Sequence, residues 1–439
     1  MSAGTLDRAP ARPVDHEVHE TFLYPGIPTT CDGAEAVVWV ETHISQGSGA
    51  FPITSSTTMG GGFNAAAQNG AKNLWGDQLV FMEPESEHSS ATFCEGFAAA
   101  GGRVTNFTSG QGLVLMKEVL YTIAGKRLGV VFNIGARALT SQGLNVHAGH
   151  DDVMSVADCG WGILFARNAQ EAGDLCLISR RAAEASQTPF LNVQDGFLTT
   201  HTVESVRLIE RDFMKEFVGK PEDKLVNLMD TANPMMSGVV QNQDSYMKGK
   251  IAQRWFYDRV EPAIAEAFEE FATATGRRYD FVSGYRCEDA EYILVGMGCY
   301  METAQTTVDF LRDVKNIKAG CLTVYCFRPF PAVQLVKALK NCRAFTVLER
   351  MDDPLSTTGN HLTREIKAAF CDAINGQNGQ PRLEAIPRIY SGAAGLGSRD
   401  VRPADKRAYP IASPGAAGPR TPETASAASR RPSIPRPPP

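Results

Sequence analysis

Leu128-Gly129-Val130-Val131-Phe132-Asn133-Ile134-Gly135-Ala136 is a nearly continuous apolar run. A strand with one wet face alternates apolar and polar residues, so an unbroken run reads as a strand buried on both faces, in a parallel sheet covered by helices. The run delivers Arg137 into the next loop. Working outward, strand candidates fall at 78–82, 103–107, 161–166 and 190–193, with segments of helical character at 34–44, after Glu87, at 113–123 and from Ala169. Asp32 suits the N-cap of the first. Strands alternating with helices at this spacing predict a doubly wound parallel sheet.

The ends of these strands draw the eye. Phe51-Pro52-Ile53-Thr54-Ser55-Ser56-Thr57-Thr58-Met59-Gly60 starts apolar, runs into hydroxyl residues and ends in three glycines, Gly60 to Gly62. That is how a strand looks when it opens into a loop that must approach a ligand closely. Glu87 follows the 78–82 strand and precedes the small residues Ser89, Ser90 and Ala91. A carboxylate so placed is poised for partial desolvation, and a desolvated carboxylate holds its proton more readily than a free one. Its other reading is a first-turn acid favoured by the helix dipole. Thr108-Ser109-Gly110-Gln111-Gly112 is a third hydroxyl- and glycine-rich loop, and the Arg137 loop a fourth. Open α/β sheets bind ligands outside the carboxyl ends of their strands, so the four are expected to converge.

Beyond residue 204 the pattern is mixed to about 245 and reads as a connecting arm, followed by a long helical pattern over 248–276 that Gly276 ends. A second α/β unit follows, with strands at 292–296, 319–326 and 344–348 and helices at 302–314, 332–339 and 362–370. The expected division is a polar leader at 1–20, a first domain at 21–245, a connecting helix at 246–282, a second domain at 283–405 and a tail at 406–439. That tail is rich in Pro, Ala, Ser and Arg, cannot bury a core, and is expected to be disordered.

The 439 residues, 43% hydrophobic and 21% charged, suffice for two or three domains. A net charge of −6 offers no basic field to gather phosphates, which argues against a nucleic-acid partner. No apolar run approaches the ~20 residues of a membrane span, and the leader has no apolar core of a secretory signal. A cytoplasmic protein is expected. The ten cysteines are scattered, and the closest pair, Cys321 and Cys326, is not a CxxC. Cysteine-ligated iron–sulfur clusters and zinc ribbons are therefore not expected in this chain.

Taken in order, Thr29-Thr30-Cys31-Asp32-Gly33, Phe51-Pro52-Ile53-Thr54, Glu83-Pro84-Glu85-Ser86-Glu87, Phe107-Thr108-Ser109-Gly110-Gln111-Gly112, Ala136-Arg137-Ala138, Gly149-His150-Asp151 and Asp195-Gly196-Phe197 with His201 form a set. Met297-Gly298, Arg328-Pro329-Phe330 and Leu348-Glu349-Arg350 extend it. With this set the chain resembles the N-terminal two domains of pyruvate:ferredoxin oxidoreductase and the wider 2-oxoacid:acceptor oxidoreductase family, from about Thr29 to Asp405. The resemblance implies a pyrimidine-type thiamine-diphosphate-binding domain, then one like the transketolase C-terminal domain. It implies that Glu87 hydrogen-bonds the aminopyrimidine ring of thiamine diphosphate, as both catalytic and cofactor-binding residue, and that Thr54 and Arg137 hold the 2-oxoacid carboxylate. A guanidinium suits that role because its planar fork binds a carboxylate by two parallel hydrogen bonds. His150 and His201 are read as structural.

Two positions depart from the family pattern: Ser55 stands where Pro is common, and the ionisable His88 follows Glu87 where small residues are common. A larger departure is the lack of a Gly-Asp-Gly motif with a following Asn to hold Mg²⁺ and the diphosphate. Other domains or subunits are therefore expected to carry that site and the iron–sulfur clusters, within an oligomer. The expected activity is thiamine-dependent oxidative decarboxylation of a 2-oxoacid, pyruvate first, to acyl-CoA with ferredoxin or flavodoxin as acceptor. The alternative is a truncated, non-catalytic remnant that serves as a structural or interaction module. A transketolase-like transferase accounts less well for the Arg137 loop and the Arg328-Pro329-Phe330 turn.

Overall fold

The computed structural model describes residues 22–403. The expected leader at 1–20 and tail at 406–439 lie outside the described residues. In chain order the strands are β1 (Ile27–Cys31), β2 (Gly47–Gly49), β3 (Val80–Met82), β4 (Val104–Thr108), β5 (Val131–Ala136), β6 (Gly162–Phe165), β7 (Phe190–Asp195) and β8 (Glu204–Leu208). They continue with β9 (Val282–Tyr285), β10 (Tyr292–Gly296), β11 (Ala319–Val324), β12 (Cys326–Arg328), β13 (Ala344–Glu349) and β14 (Arg388–Ala393).

The apolar run at 128–136 contains β5, which is buried along its whole length at the centre of a seven-stranded sheet. Its side chains alternate between two cores, as the period of a strand requires. Phe132, Ile134 and Ala136 enter one, and Val131 enters the other. Asn133, the one polar residue of the run, donates to the buried Glu41 carboxylate at 2.9 Å and accepts from Asn192 at 2.8 Å. Arg180 pairs with the same carboxylate at 3.3 Å, so the seam buries its charges in partnership.

The strand order is β12-β6-β7-β5-β4-β2-β3, parallel throughout except for β12 against β6. From β2 the chain runs outward to β3, then crosses back to β4 on β2's other side. The strand order thus reverses between β2 and β4, which is where such sheets open a crevice for ligands. The smaller sheet, β14-β13-β10-β11-β9, is parallel apart from β9, and β1 pairs with β8 in a two-stranded ribbon. Two α/β layers with largely parallel sheets are the expected fold class.

Several elements differ from the sequence reading. The strand ahead of the first loop is Gly47-Ser48-Gly49, not the Phe51 run. A Cβ at Gly49 would lie 2.7 Å from the Phe93 ring, so this strand is defined by close packing and carries no apolar pattern. Gly60 to Gly62 belong to the Thr57–Gln68 helix and not to a loop, with Gly62 set against Val38. The 248–276 pattern is three helices, Tyr246–Ala252, Arg254–Tyr257 and Val260–Thr275. The 204–245 arm begins as β8. The 319–326 strand divides at Tyr325, whose hydroxyl donates to Glu171, and the chain passes from the smaller sheet into the edge of the larger.

The two layers share one apolar core, in which Phe132, Val153 and Trp161 pack with Ile293, Leu335 and Phe370. A polar knot joins them at the carboxyl edge of the larger sheet. Asp195, at the end of β7, accepts from the Cys299 backbone N–H at 2.7 Å and pairs with His150 at 2.9 Å and Arg350 at 3.3 Å. Gly298, at φ +81°, leaves the Asp195 carboxylate a space that a side chain would fill. Four of the quoted motifs thus meet here. His150 is fully buried and hydrogen-bonded to Asp195, in keeping with a structural role, and His201 packs on Phe197 at the surface.

Candidate active site

The loops after β2, β3, β4 and β5 gather at the crevice. Ser86 is the N-cap of the Glu87–Ala99 helix, so Glu87 is its first residue; this first-turn acid is also buried, at 9% exposure. Gly112 faces it: a Cβ there would lie 2.7 Å from Glu87 Cγ and 2.8 Å from the Thr108 hydroxyl. Among the described residues nothing hydrogen-bonds the Glu87 carboxylate, and the buried Thr108 hydroxyl has no partner either.

Arg137, at 4% exposure, stands at the end of β5. Its guanidinium donates to the Thr54 backbone oxygen and, at 2.8 Å, to Gln111 Oε1. Its Nε is buried with no hydrogen-bond partner among the described residues. Burial pulls the guanidinium below its ordinary pKa, against the opposing pull of Asp152 and Glu87, so both acids lie within electrostatic reach. Thr54, Glu87 and Arg137 are therefore brought together, and Gln111 and Gly112 join them from the third loop.

Asp152 is the residue that sequence reading missed. Fully buried, it accepts the backbone N–H groups of Gly110 at 2.8 Å and Arg137 at 3.0 Å on one oxygen, and that of Val153 at 2.8 Å on the other. Burial raises its pKa to about 7, although these hydrogen bonds pull the other way. Nothing in the spacing of Asp151-Asp152 separates it from its neighbour.

The side chains at the two positions that depart from the pattern are engaged elsewhere than with the Glu87 carboxylate. Ser55 is buried, donating to Gly135 O at 3.3 Å. His88 is half-exposed and turned toward Glu118 at 3.7 Å.

The donor set fits an aminopyrimidine. The Glu87 carboxylate, which takes no hydrogen bond among the described residues, can accept a ring N–H, the unpartnered Thr108 hydroxyl lies beside it, and the glycine wall keeps the space open. No group of three or more His, Cys, Asp or Glu among the described residues is arranged to hold a metal ion. All ten cysteines are free, most of them buried. No helix among the described residues is long and apolar enough to cross a membrane.

Comparison with known proteins agrees. Residues 41–269 match the family model "Pyruvate flavodoxin/ferredoxin oxidoreductase, thiamine diP-bdg", and residues 290–405 match "Pyruvate:ferredoxin oxidoreductase core domain II". A "Probable pyruvate-flavodoxin oxidoreductase" of Escherichia coli (strain K12) is 33% identical over 377 residues, covering 85% of this chain and 32% of that protein. The chain spans about a third of the length of the first such relatives. A "Pyruvate-flavodoxin oxidoreductase" of Nostoc sp. (strain ATCC 29151 / PCC 7119) is 32% identical, covering 85% of this chain and 90% of that sequence. In fold the chain resembles a solved 2-oxoglutarate:ferredoxin oxidoreductase from Magnetococcus marinus, with a TM-score of 0.60 and 17% identity, covering 88% of this chain and 65% of the other. The chain belongs to the pyruvate flavodoxin/ferredoxin oxidoreductase family.

Proposed function

We propose that this chain is the component of a 2-oxoacid:ferredoxin or flavodoxin oxidoreductase that activates thiamine diphosphate and clamps the substrate, with pyruvate as the 2-oxoacid and acyl-CoA as the product. The first domain, 21–245, would bind the pyrimidine half of the cofactor; the 246–282 segment would link it to the second domain, 283–405. When bound, thiamine diphosphate supplies the carbon nucleophile and electron sink for decarboxylation. Glu87 would share a proton with the aminopyrimidine nitrogen. Among the described residues Arg137 uses two of its five N–H donors, one on each terminal nitrogen, so the remaining N–H of each would be left to bind the substrate carboxylate. The Thr54 hydroxyl would add a third hydrogen bond to that carboxylate. Mg²⁺, the diphosphate site and the iron–sulfur clusters are assigned to other domains or subunits of an oligomer.

The observation that carries this reading is the unpartnered Glu87 carboxylate beside the Arg137–Thr54 pair. The test is reconstitution. Mixed with a polypeptide supplying the diphosphate and iron–sulfur portions, the chain should support pyruvate- and CoA-dependent reduction of ferredoxin or flavodoxin. Assembly without turnover on any 2-oxoacid would favour a structural or interaction module instead.

A further inference from the structure

We propose that Asp152 is a positioning residue: its carboxyl group fixes the Arg137 backbone to the Gly110 turn and so sets the shape of the substrate clamp. The inference rests on the function proposed above for Arg137. One oxygen, Oδ2, takes both N–H groups, at 2.8 Å from Gly110 and 3.0 Å from Arg137, so it ties the exit of β4 to the exit of β5 at a single atom. Both sides of the clamp hang from this tie. Arg137 carries the guanidinium, and Gly110 is followed by Gln111, which holds that guanidinium, and by Gly112, which walls Glu87.

The space is tight. A Cβ at Gly110, itself at φ +54°, would lie 2.6 Å from Arg137 Nε, so the turn and the guanidinium stem are in contact and one cannot shift without the other. Asp152 touches neither the substrate position nor the cofactor position through its own side chain. Its oxygens are consumed by backbone N–H groups, and it acts only through what they carry.

The tie is also anchored to the second layer of the molecule. Two residues before Asp152, the His150 backbone N–H donates to the Arg350 carbonyl at 2.8 Å, while its ring pairs with Asp195. The short helix Asp151–Ser155 thus has one end fixed to the smaller sheet's loops and presents Asp152 to the clamp. Placement of the second layer is thereby transmitted to the distance between Arg137 and Gln111.

The test compares Asp152→Ala and Asp152→Asn with the wild type in the assembled enzyme. Asparagine keeps one carbonyl oxygen to accept from Gly110 and Arg137, whereas alanine leaves both N–H groups buried without a partner. Asp152→Ala is expected to raise the KM for pyruvate about 10- to 100-fold, with the KM for the acceptor unchanged, and Asp152→Asn to restore most of the loss. Hydrogen exchange at the Gly110 and Arg137 amides should accelerate in Asp152→Ala and stay slow in Asp152→Asn. An unaltered pyruvate KM in a folded Asp152→Ala enzyme, or unaltered exchange at both amides, overturns the proposal. If the wild type itself turns over no 2-oxoacid, the proposed function falls, and amide exchange still decides whether Asp152 holds the two loops.

Discussion

Asp195 and Asp152 are both fully buried at the carboxyl edge of the larger sheet, and the chain treats them in opposite ways. Asp195 is ringed by Arg350, His150 and the Cys299 N–H. Burial alone would raise its pKa, but those partners outweigh it and hold the carboxyl well below the usual range. Asp152 meets only backbone N–H groups, and its pKa rises to about 7. Within electrostatic reach of Arg137, the Glu87 carboxylate has no hydrogen-bond partner among the described residues, and Arg137 and Thr108 each leave a buried polar atom unused. Where the two layers are joined, charge is neutralised from within the chain. Buried polar atoms go without a hydrogen bond in both places, at His150 Nδ1 and Arg350 Nε in the knot and at Arg137 Nε and the Thr108 hydroxyl where the loops meet. The difference is that the Asp195 carboxylate is fully engaged, whereas the Glu87 carboxylate takes no hydrogen bond among the described residues, as a place built to receive a ligand requires.

The contrast can be broken by substitution. The largest effect is expected at Glu87: Glu87→Ala in the assembled enzyme should lower pyruvate turnover by about 10²- to 10⁴-fold, while costing less than about 1 kcal/mol of stability. Near-normal turnover in that variant removes Glu87 from the mechanism. Asp195→Ala should do the reverse, costing about 3–5 kcal/mol in denaturant unfolding because it strands buried Arg350 and His150. A loss under about 1 kcal/mol would mean that the knot is no weld. Arg137→Lys keeps the charge and loses the planar fork, so it should raise the pyruvate KM about tenfold with the fold intact.

A further effect, read in stability and not in turnover, separates the two aspartates by pH. A carboxyl raised in the folded state contributes stability that is fully present below its ordinary value and is lost as pH rises through about 7. Asp151, which raises Asp152 further, and Arg137 are the charged groups beside it. Between about pH 5 and pH 8 the wild type should therefore lose stability relative to Asp152→Asn, by an amount on the order of a few kcal/mol. Asp195 has the opposite sign: its contribution is present above its ordinary value and lost as acid protonates it. A pH-independent difference between wild type and Asp152→Asn would show that Asp152 does not titrate there.

Much of this was legible from the residues, and what was hidden was hidden for physical reasons. β5 declared itself because a strand buried on both faces must be apolar nearly throughout, and Asp32 declared its helix because capping needs a short side-chain oxygen. Glu87, Thr54 and Arg137 were singled out by their loops and by ordered motifs, and the fold brings them near one another, which is a matter of place and not yet of role. β2 was missed because Gly-Ser-Gly carries no periodicity; its residues are chosen for what Phe93 and Phe97 leave room for. β12 was missed because a strand that leaves one sheet for another is a tertiary event, with only Tyr325 marking the point of exchange. Asp152 was missed because its role is to accept backbone N–H groups from two loops distant in sequence, and no local pattern records that.

The most direct test of the account is a structure of the assembled enzyme with thiamine diphosphate, in which the distance from the Glu87 carboxylate to the aminopyrimidine ring nitrogen is measured. The account predicts a charge-assisted hydrogen bond of about 2.5–2.9 Å, with the substrate side of the cofactor facing Arg137 and Thr54. A ring nitrogen met by some other group, with Glu87 turned to solvent, would contradict it.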